Sequence, residues 1–104
     1  MKNIVIFITA GSRAEARKIA KGLVEKRLAA CVNIVPDIES VYTWKGKTEA
    51  AREVLLIAKT KENLFARIEK AVKGLHSYEC PEIIAISIVD GSRDYLKWIE
   101  ESTT

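Results

Sequence analysis

The sequence predicts one α+β domain that spans residues 1–104. Runs of β-branched and other apolar residues alternate with two stretches in which apolar residues recur at helical spacing. A short glycine turn, Lys45-Gly46-Lys47, joins the two middle runs. The composition, 48% hydrophobic and 30% charged, is that of a folded protein, and a chain of this length can bury one ordinary core.

The first strand and the first helix follow from local patterns. Residues 4–8 are continuously apolar and predict a central strand that is covered on both faces. Ser12 and Glu15 form the S-x-x-E pattern of a capping box, so a helix should begin there. Its predicted apolar stripe comprises Ala16, Ile19, Ala20, Leu23, Val24 and Leu28.

Two long strands should follow this helix. Residues 30–35 predict a strand that is interrupted or bulged at Pro36-Asp37, because proline has no backbone donor. Residues 38–44 continue it, and residues 48–59 return after the glycine turn. Residues 49–53 have helical propensity, but a helix there would have no apolar face, so the extended conformation is favoured.

The second half repeats the pattern of strand, helix and strand. Thr60 is the predicted N-cap of a second helix, a fourth strand covers residues 81–89, and Ser92 caps a short final helix. The order β-α-β-β-α-β contains two β-α-β crossovers around a hairpin. It predicts a ferredoxin-like sandwich with an extra C-terminal helix. The apolar residues of the two helices are Leu64, Phe65, Ile68, Ala71, Val72 and Leu75, then Tyr95, Leu96, Trp98 and Ile99.

The predicted hairpin is too long for its own domain. Residues 30–44 would reach roughly 50 Å if extended. A domain of this size has a diameter of only about 33 Å. The tip carries Ile38, Val41, Tyr42 and Trp44, which a monomer would leave in water. A closed homo-oligomer would cover them, whereas a flexible hairpin shortened at Pro36 is the alternative.

Charge and hydropathy exclude several classes of protein. The net charge is +3, and acidic and basic residues are interleaved rather than gathered in a basic stripe, which argues against nucleic acid. The third strand also lacks the aromatic residues of an RNA-recognition domain. Apolar runs are too short for a membrane helix, and the N-terminus does not resemble a signal peptide, so we expect a cytoplasmic protein with free thiols.

Residues 76–82, His-Ser-Tyr-Glu-Cys-Pro-Glu, form the candidate site. They contain the only histidine, and they join a helix to a strand. His76 and Glu79 could face one cavity, and an imidazole with carboxylate oxygens suits Cu(II). The alternatives are a His76 that only stabilises the helix end, a Cys31 that is a small buried apolar residue, and a Cys80 that is incidental.

Four blocks of this sequence resemble the CutA divalent-cation tolerance family. They are RLAACVNI at residues 27–34, SVYTWKGK at residues 40–47, Lys59-Thr60, and LHSYECPEII at residues 75–84. The similarity runs from the first strand to residues 95–99. Two features depart from the family pattern: Ser77 stands where proline is frequent, and the aromatic residues before the turn are Tyr42 and Trp44, separated by Thr43.

The resemblance implies a cytoplasmic homotrimer, similar to the PII signalling proteins and linked to tolerance of copper and other heavy metals. It implies no settled enzymatic activity, so we expect neither an enzyme nor an obligatory cofactor, with Cu(II) or another divalent metal ion as a possible ligand. Cys31, His76 and Glu79 are then the expected metal ligands. Trp44, Lys59 and Tyr78 would frame a cleft between subunits, where Lys59 would favour an anionic ligand unless it is only a solvated strand end.

Two other functions stay open. A PII-like sensor would bind a small polar ligand without a physiological metal. An acyl-phosphate hydrolase would use residues 9–13 to hold a phosphate at the start of the first helix. With one histidine, a hydrolytic triad is disfavoured.

Overall fold

The computed structural model describes residues 2–104. Within them lie strands β1 (Asn3–Ala10), β2 (Cys31–Trp44), β3 (Lys47–Lys61) and β4 (Ile83–Ser87). The α-helices are α1 (Arg13–Glu25), α2 (Phe65–Leu75) and α3 (Arg93–Ser102), and a 3₁₀ turn over Glu62–Leu64 precedes α2. The predicted α+β fold and the order of its elements are confirmed. None of the helices in residues 2–104 is long and apolar enough to cross a membrane.

The strands form one sheet in the order β2-β3-β1-β4, and every neighbouring pair is antiparallel. β1 is central and pairs with β3 from Asn3 opposite Lys61 to Ala10 opposite Val54. Its other edge pairs with β4 from Ile4 opposite Ser87 to Ile8 opposite Ile83. Each of the helices α1 and α2 therefore connects two strands that lie on either side of a third.

The hydrophobic core lies between the sheet and the helices α1 and α2. Side chains alternate along a strand, so every second residue of β1 and β3 points to the same face. This face carries Ile4, Ile6, Ile8, Leu56 and Ala58, and it packs against Ala16, Ile19, Leu23, Ile68 and Val72 of the helices. Burying each large aliphatic side chain contributes about 1.5–3 kcal/mol, so this layer provides most of the stability of the fold.

The opposite face of the sheet, which we call the open face, is also apolar. It carries Val5, Phe7, Leu55, Ile57, Ile84 and Ile86. Helix α3 lies on this side of the sheet, as shown by the 3.5 Å hydrogen bond that the Asn3 side chain donates to the Leu96 carbonyl. Much of the face stays uncovered: Ile84 and Ile86 are 52% and 53% exposed. Val5 and Phe7 of β1 are also only half-buried on this face, so the cover predicted on both faces of β1 is complete only on the side of α1 and α2.

Beyond the end of β1, strands β2 and β3 continue as an arm, residues 38–53. β1 ends at Ala10 opposite Val54, whereas β2 and β3 stay paired as far as Trp44 opposite Lys47. The molecule is consequently elongated, at 44 × 25 × 23 Å. Val41, Tyr42 and Trp44 are exposed on the arm. The prediction of a hairpin that extends past its own core is confirmed.

Local signals in the sequence were accurate for caps, turn and bulge. Ser12 and Ser92 accept hydrogen bonds from the backbone of Glu15 and Tyr95, as N-caps do. Lys45 and Gly46 form the two-residue turn, with φ of 52° and 80°. The register shifts between Val35 and Ile38, as predicted from Pro36. Residues 49–53 are extended.

Four predictions of detail were wrong. Thr60 does not cap α2 but belongs to β3, because its buried hydroxyl donates to the Leu28 carbonyl and its backbone pairs with β1. Val24 is exposed on α1. Leu28 is buried but lies outside the helix, which ends at Glu25. β4 covers Ile83–Ser87 rather than residues 81–89, because β1 offers partners only over that length.

Candidate functional site

The arm and the loop between α2 and β4 border a half-open cavity of about 780 Å³. We call it the arm cavity. Residues 40–44 of the arm form one wall, and residues 77–80 with Glu82 form the other. Thr9 and Glu53 lie between these walls. Trp44 and Tyr78, two of the three residues predicted to frame a cleft, are therefore brought together within one chain.

His76 sits behind this cavity with a completely buried side chain. Its Nε2 lies 2.6 Å from the carbonyl oxygen of Thr9, and its Nδ1 accepts a 3.1 Å hydrogen bond from the Tyr78 backbone N–H. A carbonyl can only accept and an amide N–H can only donate, so the ring is a neutral tautomer protonated at Nε2. Both nitrogens are engaged. Metal binding by His76 would require breaking one of these bonds.

Glu15 ties the start of α1 to the site loop. Its carboxylate accepts hydrogen bonds from the backbone N–H of Ser77 at 3.0 Å and of Gly11 at 3.4 Å, and it lies 3.8 Å from His76 Nδ1. Burial alone would raise the pKa of Glu15. The hydrogen bonds from Ser77 and Gly11 outweigh burial and lower the pKa of Glu15. The sequence marked Glu15 only as part of a capping box, so its contact with the loop was missed.

Tyr78 and Glu53 make a hydrogen bond between the loop and the base of the arm. The Tyr78 hydroxyl donates to Glu53 Oε2 at 2.9 Å, and the Tyr78 ring packs at 4.7 Å from the His76 ring. Burial, followed by the contact with Glu53, raises the pKa of Tyr78 to about 12, so the phenol stays protonated and donates. Gly11 makes room for this ring, because a Cβ there would lie 3.2 Å from the Tyr78 hydroxyl.

Glu79 is exposed on the loop and lines the arm cavity, as do Cys80 and Glu82. His76 does not line it, so the structure does not place His76 and Glu79 on one shared cavity wall. Glu53, Glu79 and Glu82 make the lining acidic, and none of the described residues that line it is a lysine, arginine or histidine.

Cys31 and Lys59 lie at the other end of the sheet. They pair with each other across β2 and β3, and the Lys59 ammonium donates to the Asn33 side chain. Cys31 contacts the Tyr95 hydroxyl. Burial raises the pKa of Tyr95 most, and the contact with the Cys31 thiol raises it further. Lys59 does not line the arm cavity of one chain, and its predicted place at a cleft between subunits stays a prediction.

One chain does not bring the three predicted metal ligands together. Thr9, which His76 contacts, pairs with Leu55 of β3, and Cys31 pairs with Lys59 of the same strand. Leu55 and Lys59 are four positions apart, which corresponds to roughly 13 Å along the strand. Cys31 is therefore far from the end of the sheet where His76 contacts Thr9. Among residues 2–104, no three His, Cys, Asp or Glu side chains are arranged to hold a metal ion.

Comparisons with known proteins agree on one family. Residues 4–102 match the family described as CutA1 divalent ion tolerance protein. A divalent-cation tolerance protein CutA from Thermus thermophilus is 50% identical over 99 residues, covering 95% of this chain and 96% of that protein. The crystal structure of CutA1 from Oryza sativa has a TM-score of 0.97 at 42% identity and covers 100% of this chain and 95% of its own. A structure from Archaeoglobus fulgidus, described as a periplasmic divalent cation tolerance protein, has a TM-score of 0.93 at 50% identity, covering 96% of this chain and 97% of its own.

Proposed function

This chain belongs to the CutA1 family of divalent ion tolerance proteins, and on that premise we propose that it is a homotrimer that binds copper or other heavy-metal ions at the clefts between its subunits. The family is not a known enzyme family, and we propose no catalytic activity. We assign each subunit to the ferredoxin-like class, a choice supported by the antiparallel strand order β2-β3-β1-β4.

The observation that carries the assembly is the arm. Its two strands extend past Ala10, where residues 2–104 place no third strand beside them, and they expose Val41, Tyr42 and Trp44. The open face adds Ile84 and Ile86, each about half exposed. A long apolar strand pair and an apolar sheet face on one molecule are typical of surfaces that pair with further copies. Three copies around a closed axis would cover the open face and part of the arm, and they would leave the arm cavity as a cleft at the boundary between subunits.

Metal binding would then use donors from more than one subunit. Glu79 offers an accessible carboxylate at the arm cavity, and Cys31 offers a thiol at the other end of the sheet. We propose that a neighbouring subunit brings such donors together, and that His76 joins them only when the Tyr78 N–H releases its Nδ1. Copper suits this set, because Cu(II) favours imidazole and carboxylate whereas Cu(I) favours thiolate.

Two measurements test this proposal. Light scattering should give three times the 11.6 kDa mass of one chain. Calorimetric titration with Cu(II) should show binding that weakens by about tenfold or more in the double variant Glu79→Gln, Cys31→Ser, which corresponds to a loss of about 1.4 kcal/mol or more of binding free energy. Glu25→Gln, which removes an exposed carboxylate at the end of α1 and away from the cavity, is the control. A stable monomer would contradict the assembly, and unchanged copper affinity in the double variant would contradict the assigned ligands.

The second candidate function is a PII-like sensor of a small ligand without a physiological metal. The size of the arm cavity favours it, because about 780 Å³ lies within the range of small-molecule sites. A thermal-shift screen in the presence of a chelator separates the two functions. Stabilisation by an organic ligand alone would favour the sensor, and stabilisation by metal ions alone, without the chelator, would favour the metal-binding trimer.

We also propose the cytoplasm as the location, following the prediction from the sequence. Cell fractionation with a compartment marker tests it. Recovery of the protein with periplasmic or organellar markers would contradict this location.

A further inference from the structure

Glu53 is a buried carboxylate without a positive partner. It is only 8% exposed, and within residues 2–104 no lysine, arginine or histidine nitrogen lies within 4.0 Å of it. Its Oε2 accepts the Tyr78 hydroxyl, and its other oxygen has no hydrogen bond to the described residues. The second oxygen is not among the fully buried atoms of the described residues, so it is free to accept a positively charged group. Glu53 lines the arm cavity, so a bound cation can reach it.

The rest of the cavity lining also favours a positively charged ligand. Glu79 and Glu82 add two more carboxylates on the loop side. The raised pKa of Tyr78, about 12, keeps that ring neutral at physiological pH, so it offers a hydroxyl and an uncharged π face. Three glutamates without a basic residue in the lining repel phosphates and carboxylates. The cavity therefore does not suit the anionic ligand that Lys59 suggested from the sequence.

Aromatic rings decide which kind of cation suits the cavity. Tyr42 and Trp44 on the arm and Tyr78 on the loop all line it. Such rings attract weakly hydrated organic cations through their π faces, and Trp is the strongest of them. Trp44 already attracts the Lys45 ammonium, which lies 5.6 Å from its ring centroid. A divalent metal ion instead needs several oxygen, nitrogen or sulfur ligands, and the described residues of one chain form no such group of three.

We propose that the arm cavity binds a small organic ammonium ion, with its charged nitrogen at Glu53 and its alkyl groups against Tyr42, Trp44 and Tyr78. The hydrogen bond from Tyr78 fixes the Glu53 carboxylate and leaves its second oxygen for the ligand. The inference gives a chemical class to the small-ligand function and does not depend on metal binding.

Titration with choline, tetramethylammonium and the neutral carbon analogue of choline tests the proposal. Each is added to the intact protein with a chelator present, and binding is followed by calorimetry. Choline should bind about tenfold or more tightly than its neutral analogue, because only the cation gains from Glu53 and from the π faces. Tetramethylammonium should resemble choline. The metal test uses copper without chelator, so either proposal can fail while the other holds.

Matched variants locate the site. Glu53→Gln keeps an oxygen for the Tyr78 hydroxyl but removes the charge, and it should weaken choline binding by about tenfold or more. Trp44→Leu should weaken it several-fold. Glu39→Gln removes an exposed carboxylate from the arm that does not line the cavity, and it should leave binding unchanged. Circular dichroism and the mass in solution show whether each variant is folded and assembled.

Three results would overturn the inference. Equal affinity for choline and its neutral analogue would mean an apolar pocket without charge selection. Unchanged choline binding in the folded Glu53→Gln variant would place the ammonium elsewhere. Absence of ammonium binding to the intact assembly would mean that another group, such as a side chain of a neighbouring copy, occupies the cavity.

Discussion

At the scale of single residues, Glu15 connects three segments that are distant in sequence. Its carboxylate holds the backbone of Gly11 and Ser77 and lies beside the His76 ring. The loop that carries Tyr78 and Glu79 is thereby attached to the first turn of α1. The position of these cavity residues thus depends on a carboxylate that does not itself line the cavity.

Glu15→Gln should destabilise the protein at neutral pH by about 1–3 kcal/mol, because two backbone donors lose a charged acceptor. Folding lowers the pKa of Glu15 below its ordinary 4.5, so its contribution is complete above that pH and is lost as the pH falls below it. As the pH is lowered from 5, the free energy of unfolding should therefore fall less for the variant than for the parent protein. Urea denaturation at several pH values measures this, with Glu25→Gln as the control. Parallel pH profiles for Glu15→Gln and the parent protein would contradict it.

The contacts of the site could be predicted from the sequence only in part. Residues 76–82 stood out because rare residue types gather there, and Trp44 and Tyr78 do line one cavity. The hydrogen bond from Ser77 to Glu15 spans 62 positions, and the one from Tyr78 to Glu53 spans 25. Such pairs depend on how the strands are ordered, which no local pattern encodes. The bond from His76 to Thr9 depends in the same way on where α2 ends over the sheet.

At the scale of elements, the arm depends on its two-residue turn. Lys45 and Gly46 both have positive φ, which matches the twist of a β-hairpin. Gly46 suits this conformation because it has no Cβ. The turn thus sets the register that places Tyr42 and Trp44 on the cavity wall, opposite Glu49 and Lys47 of β3.

Two glycine substitutions should have opposite effects on stability. Gly46→Ala should destabilise the protein by about 1–2 kcal/mol, because φ is +80° there. Gly74→Ala should stabilise it by about 0.5–1 kcal/mol, because Gly74 lies inside α2 and an added Cβ would meet no atom within 4 Å. Chemical denaturation at one fixed protein concentration measures both. Effects of the same sign would contradict this assignment of backbone strain.

The elements that the sequence predicted well are those with local causes. Ser12, Ser92 and the Lys45-Gly46 turn act on their immediate neighbours, so composition and spacing sufficed. The prediction of Thr60 as a helix cap was wrong because pairing with β1 extends strand β3 past Thr60, as far as Lys61. The predicted ends of the fourth strand were wrong because the length of β4 is limited by its pairing with β1. Propensity is overruled where a neighbouring strand decides the boundary.

At the scale of the whole molecule, two apolar surfaces stay uncovered on one chain. The open face exposes about half of Ile84 and Ile86, and the arm exposes Val41. A core on only one side of a four-stranded sheet is ordinary, but an apolar second side indicates a further contact. This is the physical reason to expect assembly rather than a free monomer.

Charge on the open face should therefore dissociate the proposed trimer. Ile84→Glu with Ile86→Glu should shift the mass in solution towards that of one chain, because buried unpaired carboxylates are unfavourable in an interface. Val89→Glu, at a position that is 97% exposed, is the matched control and should leave the mass unchanged. Light scattering over a range of protein concentrations measures both. A double variant that keeps the mass of the parent protein would show that copies do not meet across this face.

The place of Trp44 also gives the protein an optical reporter. The chain has two tryptophans, Trp44 beside the cavity and Trp98 on α3, so Trp98→Phe leaves a single indole whose emission senses the cavity alone. A guest that displaces water from that ring should shift the emission to shorter wavelength. Occupancy can then be followed in real time without attaching a dye.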